Sequence, residues 1–87
     1  MYDIEYSKKA TKDIQRLKTA KLAKKAKQLV DILEENPLQF PPAFEALSGN
    51  FDGLYSRRIS GQHRLVYEID EDRMAVFIIS MWSHYEF

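Results

Sequence analysis

The chain has 87 residues, 45% of them hydrophobic and 30% charged, with 13 Lys/Arg balanced by 13 Asp/Glu. Such a length and balance predict a single small globular domain over 1–87, with no second core. The absence of cysteine excludes disulfides and thiolate metal sites, and no apolar run approaches the ~20 residues that cross a bilayer, so a cytoplasmic chain without a membrane partner is expected.

The neutral total conceals an asymmetry. Residues 1–30 hold nine of the Lys/Arg and three of the Asp/Glu, so the first third is basic and the remainder acidic. Tyr2, Ile4 and Tyr6 alternate with Asp3 and Glu5, the period of a half-buried strand. Ser7 is placed to cap a first helix whose Ala10, Ile14 and Leu17 fall on one stripe. Thr19 is read as the cap of a second helix, with Leu22, Ala26, Leu29, Val30 and Leu33 inward and Lys21, Lys24 and Lys25 outward. Asn36 before Pro37 ends it, because a residue preceding proline is pushed out of the α region. A long loop rich in turn formers runs from Pro37 to Gly53. Three strands then follow: Leu54–Ser60, His63–Asp70 and Arg73–Trp82. The predicted fold class is α+β, in the order β-α-α-β-β-β. An αα-hairpin packs on one face of a small, largely antiparallel sheet.

With a two-residue turn at Gly61–Gln62, Ile59 pairs with Arg64 and Arg57 with Val66. Leu54, Leu65, Tyr67, Ile69, Val76 and Ile78 then face the helices. Tyr55, Arg57, Arg64, Val66, Glu68 and Phe77 take the other face, where two arginines and a tyrosine suit an anionic ligand, or salt bridges to Glu68 and its neighbours. The exposed lysines of the second helix suit solvent as readily as an anionic partner.

The chemistry-bearing residues are few. His63 and His84 are 21 positions apart and sit in no metal-spaced cluster, so neither a metal nor another cofactor is expected. No phosphate-cradling glycine loop and no nucleophile elbow is present. Glu45 lies in the long loop between apolar residues, a setting that favours a usable base; His84, near neutrality in its ordinary titration, is a workable acid. Glu, His and Arg together suffice for RNA transesterification. A base takes the 2′-hydroxyl proton, a cation steadies the phosphorane and an acid protonates the leaving 5′-oxygen.

Phe44-Glu45-Ala46-Leu47, Gly53-Leu54-Tyr55-Ser56-Arg57-Arg58-Ile59, His63-Arg64-Leu65-Val66-Tyr67 and Ser83-His84-Tyr85 resemble the YoeB/Txe branch of the RelE-like toxins. The strand-helix-helix start agrees, so the resemblance covers nearly the whole chain. It implies a ribosome-dependent mRNA endoribonuclease, the toxin half of a type II toxin–antitoxin pair. Its partners would be the ribosome, mRNA and a cognate antitoxin, with room for a homodimer inside the toxin–antitoxin complex. Carried over by residue, Glu45 would be the general base, His84 the general acid and Arg64 the phosphate stabiliser. Tyr85 would line the site, and either Arg57 or Arg58 would hold RNA. Apart from the resemblance, Tyr55 on the arginine face is read as a substrate contact, and the clustered charge of Lys21, Lys24 and Lys25 as a dock on ribosomal RNA. Two other classes share the fold: a gyrase inhibitor acting by protein contact, and an inactive partner-binding member. The chain continues past His84-Tyr85 with Glu86 and Phe87, where that branch commonly stops. Strict alternation sets His84 on the face opposite Arg64, so a shared site requires the last strand to end or bulge near Trp82.

Overall fold

In the computed structural model, which describes residues 1–82, the first strand β1 is Asp3–Tyr6. Ser7 then caps α1 (Lys8–Thr19), its hydroxyl accepting from the Ala10 N–H at 2.9 Å. The helix buries Ala10, Asp13 and Leu17, with Ile14 only partly covered. Thr19 does not cap the second helix. It ends α1, where its hydroxyl donates to the Gln15 carbonyl at 3.1 Å.

The turn after it explains the difference. Lys21 takes the left-handed conformation at φ 61, Leu22 N–H reaches back to the Leu17 carbonyl at 2.8 Å, and Lys21 N–H to that of Lys18 at 3.1 Å. These paired bonds close a helix C-terminus, and Leu17 and Leu22 on either side of the turn both pack in the core. The second helix, α2 (Ala23–Glu35), therefore starts with no side-chain cap and relies on burial of Ala26, Leu29, Val30 and Leu33. It stops at Asn36, extended at φ −158 and ψ 100 ahead of Pro37.

The long loop contains cis peptide bonds before Pro41 and Pro42 and a two-residue strand that the sequence reading lacked, β2 (Glu45–Ala46). Strands β3 (Leu54–Ser60), β4 (His63–Asp70) and β5 (Ala75–Ser80) follow. The sheet order is β1-β5-β4-β3-β2, with β1 parallel to β5 and the other pairs antiparallel. Both helices cover one face. Their stripes meet Ile59, Leu65, Tyr67, Val76, Ile78 and Met81, which is the predicted packing of Leu29 and Leu33 on Leu65, Tyr67 and Val76.

Two bulges shift the register from the expected one, and a longer turn over 71–74 starts β5 at Ala75, opposite Asp70, in place of Arg73. Ser60 does pair with His63, but Arg58, not Ile59, pairs with Arg64, so Ile59 is an extra residue in β3. Side chains alternate with period two, and one extra residue exchanges the faces of everything beyond it. Tyr55 and Arg57 therefore share the helix side with their partners Tyr67 and Leu65. Leu54, Ser56 and Arg58 join Glu68, Val66 and Arg64 on the helix-free face. A second shift separates Tyr67↔Ile78 from Val66↔Ser80, making Ile79 the extra residue in β5. Ser80 thereby joins Val66, and Met81 turns into the core.

Candidate functional site

One row of partners crosses four strands: Glu45 opposite Ser56, Ser56 opposite Val66, and Val66 opposite Ser80. The neighbouring row carries Arg58 opposite Arg64. Two guanidinium groups and a carboxylate so converge on the helix-free face, around a cleft of about 150 Å³ lined by Ala43, Phe44, Glu45, Ser56, Arg58 and Arg64.

Arg64 organises the cluster. Its guanidinium forms an ion pair with Glu45 Oε1 at 2.7 Å and donates to Ser56 Oγ at 3.2 Å, with only 11% of the side chain exposed. Glu45 stands 57% exposed against it. The apolar enclosure expected of Glu45 is absent. Its neighbour Phe44 lines one wall of the cleft, and its ring lies edge-on to Phe40 and Tyr55 and 4.9 Å from the Arg57 guanidinium. Arg58 is exposed and donates to the Gly61 carbonyl across the hairpin turn.

Arg57 has a different task. It is fully buried, and its guanidinium donates to the carbonyls of Pro37 (3.0 Å), Gln39 (2.9 Å) and Pro42 (2.7 Å) and to the Tyr67 hydroxyl (3.0 Å). Tyr67 in turn donates to the Pro37 carbonyl at 3.0 Å, and its burial pushes the phenol up, an effect the adjacent Arg57 charge partly offsets. Arg57 thus ties the long loop to the sheet and is not available to hold RNA. Tyr55, half-buried, stacks on Tyr67 at 5.7 Å and meets Phe44 edge-on, away from the Arg64 cluster. Of the predicted RNA-binding residues on β3, only Arg58 belongs to the cleft.

His84 and Tyr85 lie outside the described residues. The chain reaches Trp82 beside the cluster: the Arg64 N–H donates to the Trp82 carbonyl at 3.2 Å. β5 has ended at Ser80 and bulged at Ile79, the condition under which one site was expected to collect both faces. Lys21, Lys24 and Lys25 are exposed, the first in the helix turn and the other two on α2. Among the described residues no group of three His, Asp or Glu is placed to hold a metal ion, and no helix is long and apolar enough to cross a membrane. Ser56 was missed by the sequence reading, since its place in the site depends on the bulge at Ile59.

Solved structures of bacterial toxins share this fold. The YoeB/ParE toxin from Agrobacterium tumefaciens superposes with a TM-score of 0.86 over 95% of this chain and 99% of its own, at 24% identity, a likeness of fold alone. The YoeB-YefM toxin–antitoxin complex from Staphylococcus aureus gives a TM-score of 0.80 at 33% identity, covering 98% and 99%. In sequence, Toxin YoeB of Synechocystis is 39% identical over 67 residues, 76% of this chain and 74% of the relative. The model of the YoeB-like toxin of bacterial type II toxin–antitoxin systems matches residues 6–85. The chain belongs to that family.

Proposed function

We propose that this toxin is a ribosome-dependent mRNA endoribonuclease of the cytoplasm, cleaving A-site mRNA by acid–base chemistry that needs no metal. The observation that carries the reading is the Glu45–Arg64 pair at 2.7 Å, with Arg58 opposite Arg64 on the same face. Phosphate needs cations, and the 2′-hydroxyl needs a base beside them. Glu45 takes the 2′-hydroxyl proton as the 2′-oxygen attacks phosphorus. Arg64 exchanges its bond to Glu45 for the charge developing on the non-bridging oxygens. His84, by family resemblance, gives its proton to the departing 5′-oxygen, and Tyr85 lines the site. The products are a 2′,3′-cyclic phosphate and a 5′-hydroxyl. RNA supplies the nucleophile, so no covalent enzyme intermediate forms.

Arg58 holds the RNA backbone, and the exposed Lys21, Lys24 and Lys25 dock on ribosomal RNA. The staphylococcal relative assembles with YefM. By analogy, a cognate antitoxin places an acidic segment over Arg58 and Arg64 and blocks the cleft. An in vitro translation reaction containing the toxin, with mRNA ends mapped by primer extension, tests the activity. Ends within the A-site codon, formed only on ribosomes and unaffected by a chelator specific for transition metals, are expected. Intact mRNA in a reaction whose translation still fails would overturn the reading and direct attention to a protein target such as gyrase.

A further inference from the structure

Helix α1 grips the far end of β5 through three bonds. Ser7 N–H donates to the Ile78 carbonyl at 3.0 Å, Ser7 Oγ donates to the Ile79 carbonyl at 2.7 Å, and Asp13 Oδ2 accepts the Met81 N–H at 3.0 Å. They land on the bulged Ile79, on Ile78 just before it and on Met81 beyond it, where the sheet's own ladder is interrupted.

Asp13 is an unusual residue for its position. It is 1% exposed and sits on the inward stripe of α1 between Ala10 and Leu17. Periodicity alone would put a hydrophobe there. A buried carboxylate is expensive unless paired, and Asp13 is paired with Lys9 at 3.2 Å, more distantly with Arg16 at 3.9 Å, and with the Met81 amide. Arg16 also lies over the Trp82 ring at 5.9 Å, on whose other contact His63 packs at 4.4 Å. Trp82 then closes the path, its carbonyl bonded to the Arg64 N–H at 3.2 Å. Asp13 thus holds Met81, and the adjoining Trp82 holds the backbone of Arg64, the residue paired with Glu45.

We propose that Asp13, with Ser7, is a positioning residue of the ribonuclease site. By clamping the bulged end of β5 it sets where the Trp82 carbonyl meets the Arg64 N–H, and so how Arg64 is presented to Glu45. The assignment rests on the ribonuclease reading above. A small displacement of a catalytic group from its reacting atom costs up to about a hundredfold in rate.

The test compares Asp13→Ala, Asp13→Asn and Ser7→Asp with the unaltered toxin. Three quantities are read: single-turnover cleavage on toxin-saturated ribosomes, ribosome affinity, and backbone amide exchange. Asp13→Ala is expected to slow cleavage about tenfold or more with affinity unchanged, and to speed exchange at Met81 while Leu65 and Val66 stay protected. Asp13→Asn keeps an acceptor for the Met81 N–H and is expected to restore the rate to within about threefold of the unaltered chain. Ser7→Asp keeps a cap for α1 but sets a carboxylate against the Ile79 carbonyl. It slows cleavage in the same way and carries the test if Asp13→Ala does not fold. A folded Asp13→Ala or Ser7→Asp variant cleaving at the full rate overturns the clamp. So does a loss of rate matched by faster exchange at Leu65 and Val66, which marks a merely structural role. An unaltered chain that cleaves nothing overturns the ribonuclease reading, and the clamp's catalytic role with it.

Discussion

Arg57 and Arg58 are neighbours on β3, yet they serve opposite sides of one sheet. Arg57 is enclosed by the loop it holds, with three carbonyls and a phenol satisfying its guanidinium. Arg58 is exposed across from Arg64, within reach of the Glu45 carboxylate's cleft. A guanidinium can be buried without a carboxylate when carbonyl dipoles converge on its planar fork, and the result is a rigid joint. The same group left in solvent, next to a second cation, is what the proposed function uses to hold phosphate. The strand's pleat separates structure from chemistry by a single position.

The widest separation between these two regions lies in rate. Replacing Glu45 by Gln or His84 by Ala is expected to lower single-turnover cleavage by roughly 10²–10⁴-fold with no fall in melting temperature. The double variant should lose little more than either alone, since the two groups act as a unit. A His84→Ala toxin that cleaves ribosome-bound mRNA at the full rate would remove the acid assignment. Tyr85 or Glu86 would then be the next to examine.

Arg57→Ala should do the converse. It strands the carbonyls of Pro37, Gln39 and Pro42, and a loss of about 3–5 kcal/mol in urea unfolding is expected. Lysine at the same position cannot reach all four acceptors and should recover less than half of that. If Arg57→Ala leaves stability intact, the loop is held by other means and the contrast with Arg58 fails.

Arg58→Ala should leave unfolding within about 0.5 kcal/mol of the unaltered chain. It should instead weaken RNA engagement several-fold and lower the slope of affinity against salt by about one charge. An unchanged slope would place Arg58 outside the phosphate contacts.

Tyr67 sharpens the comparison through pH. Burial raises its folded pKa above the unfolded value of about 10, so the folded state retains a proton that the unfolded state releases. Stability should therefore be level below pH ~10 and decline above it, by at most about 1.4 kcal/mol per pH unit from this residue. Tyr67→Phe should flatten that decline in alkaline urea titrations; an unaltered slope would show that another group governs it.

The smallest effect is expected at Lys24 and Lys25. Changing both to Gln should weaken ribosome association, most visibly at raised salt, and leave the pH profile of cleavage unaltered. Binding that stays identical across a salt series would confine those lysines to solvation.

Much of this molecule is written in its residue pattern. The α2 stripe of Ala26, Leu29, Val30 and Leu33, the Ser7 cap, the stop at Asn36-Pro37 and the limits of β3 and β4 all follow from local rules. Those rules act over a few residues, where periodicity and capping dominate. Glu45 and Arg64 were likewise legible as candidate chemistry, and the structure joins them in one salt bridge. The faces of β3 and the end of β5 were not legible. Ile59 and Ile79 are ordinary apolar strand residues, and nothing local marks either as an extra one. Each bulge is settled by what packs on it from afar. Ile59 is drawn into the helix-side core, Arg57 is held by the loop carbonyls, and Ser7 with Asp13 grips the strand around Ile79. Since a strand repeats every two residues, one unforeseen insertion sends Arg57 to the interior and leaves Arg58 beside Arg64.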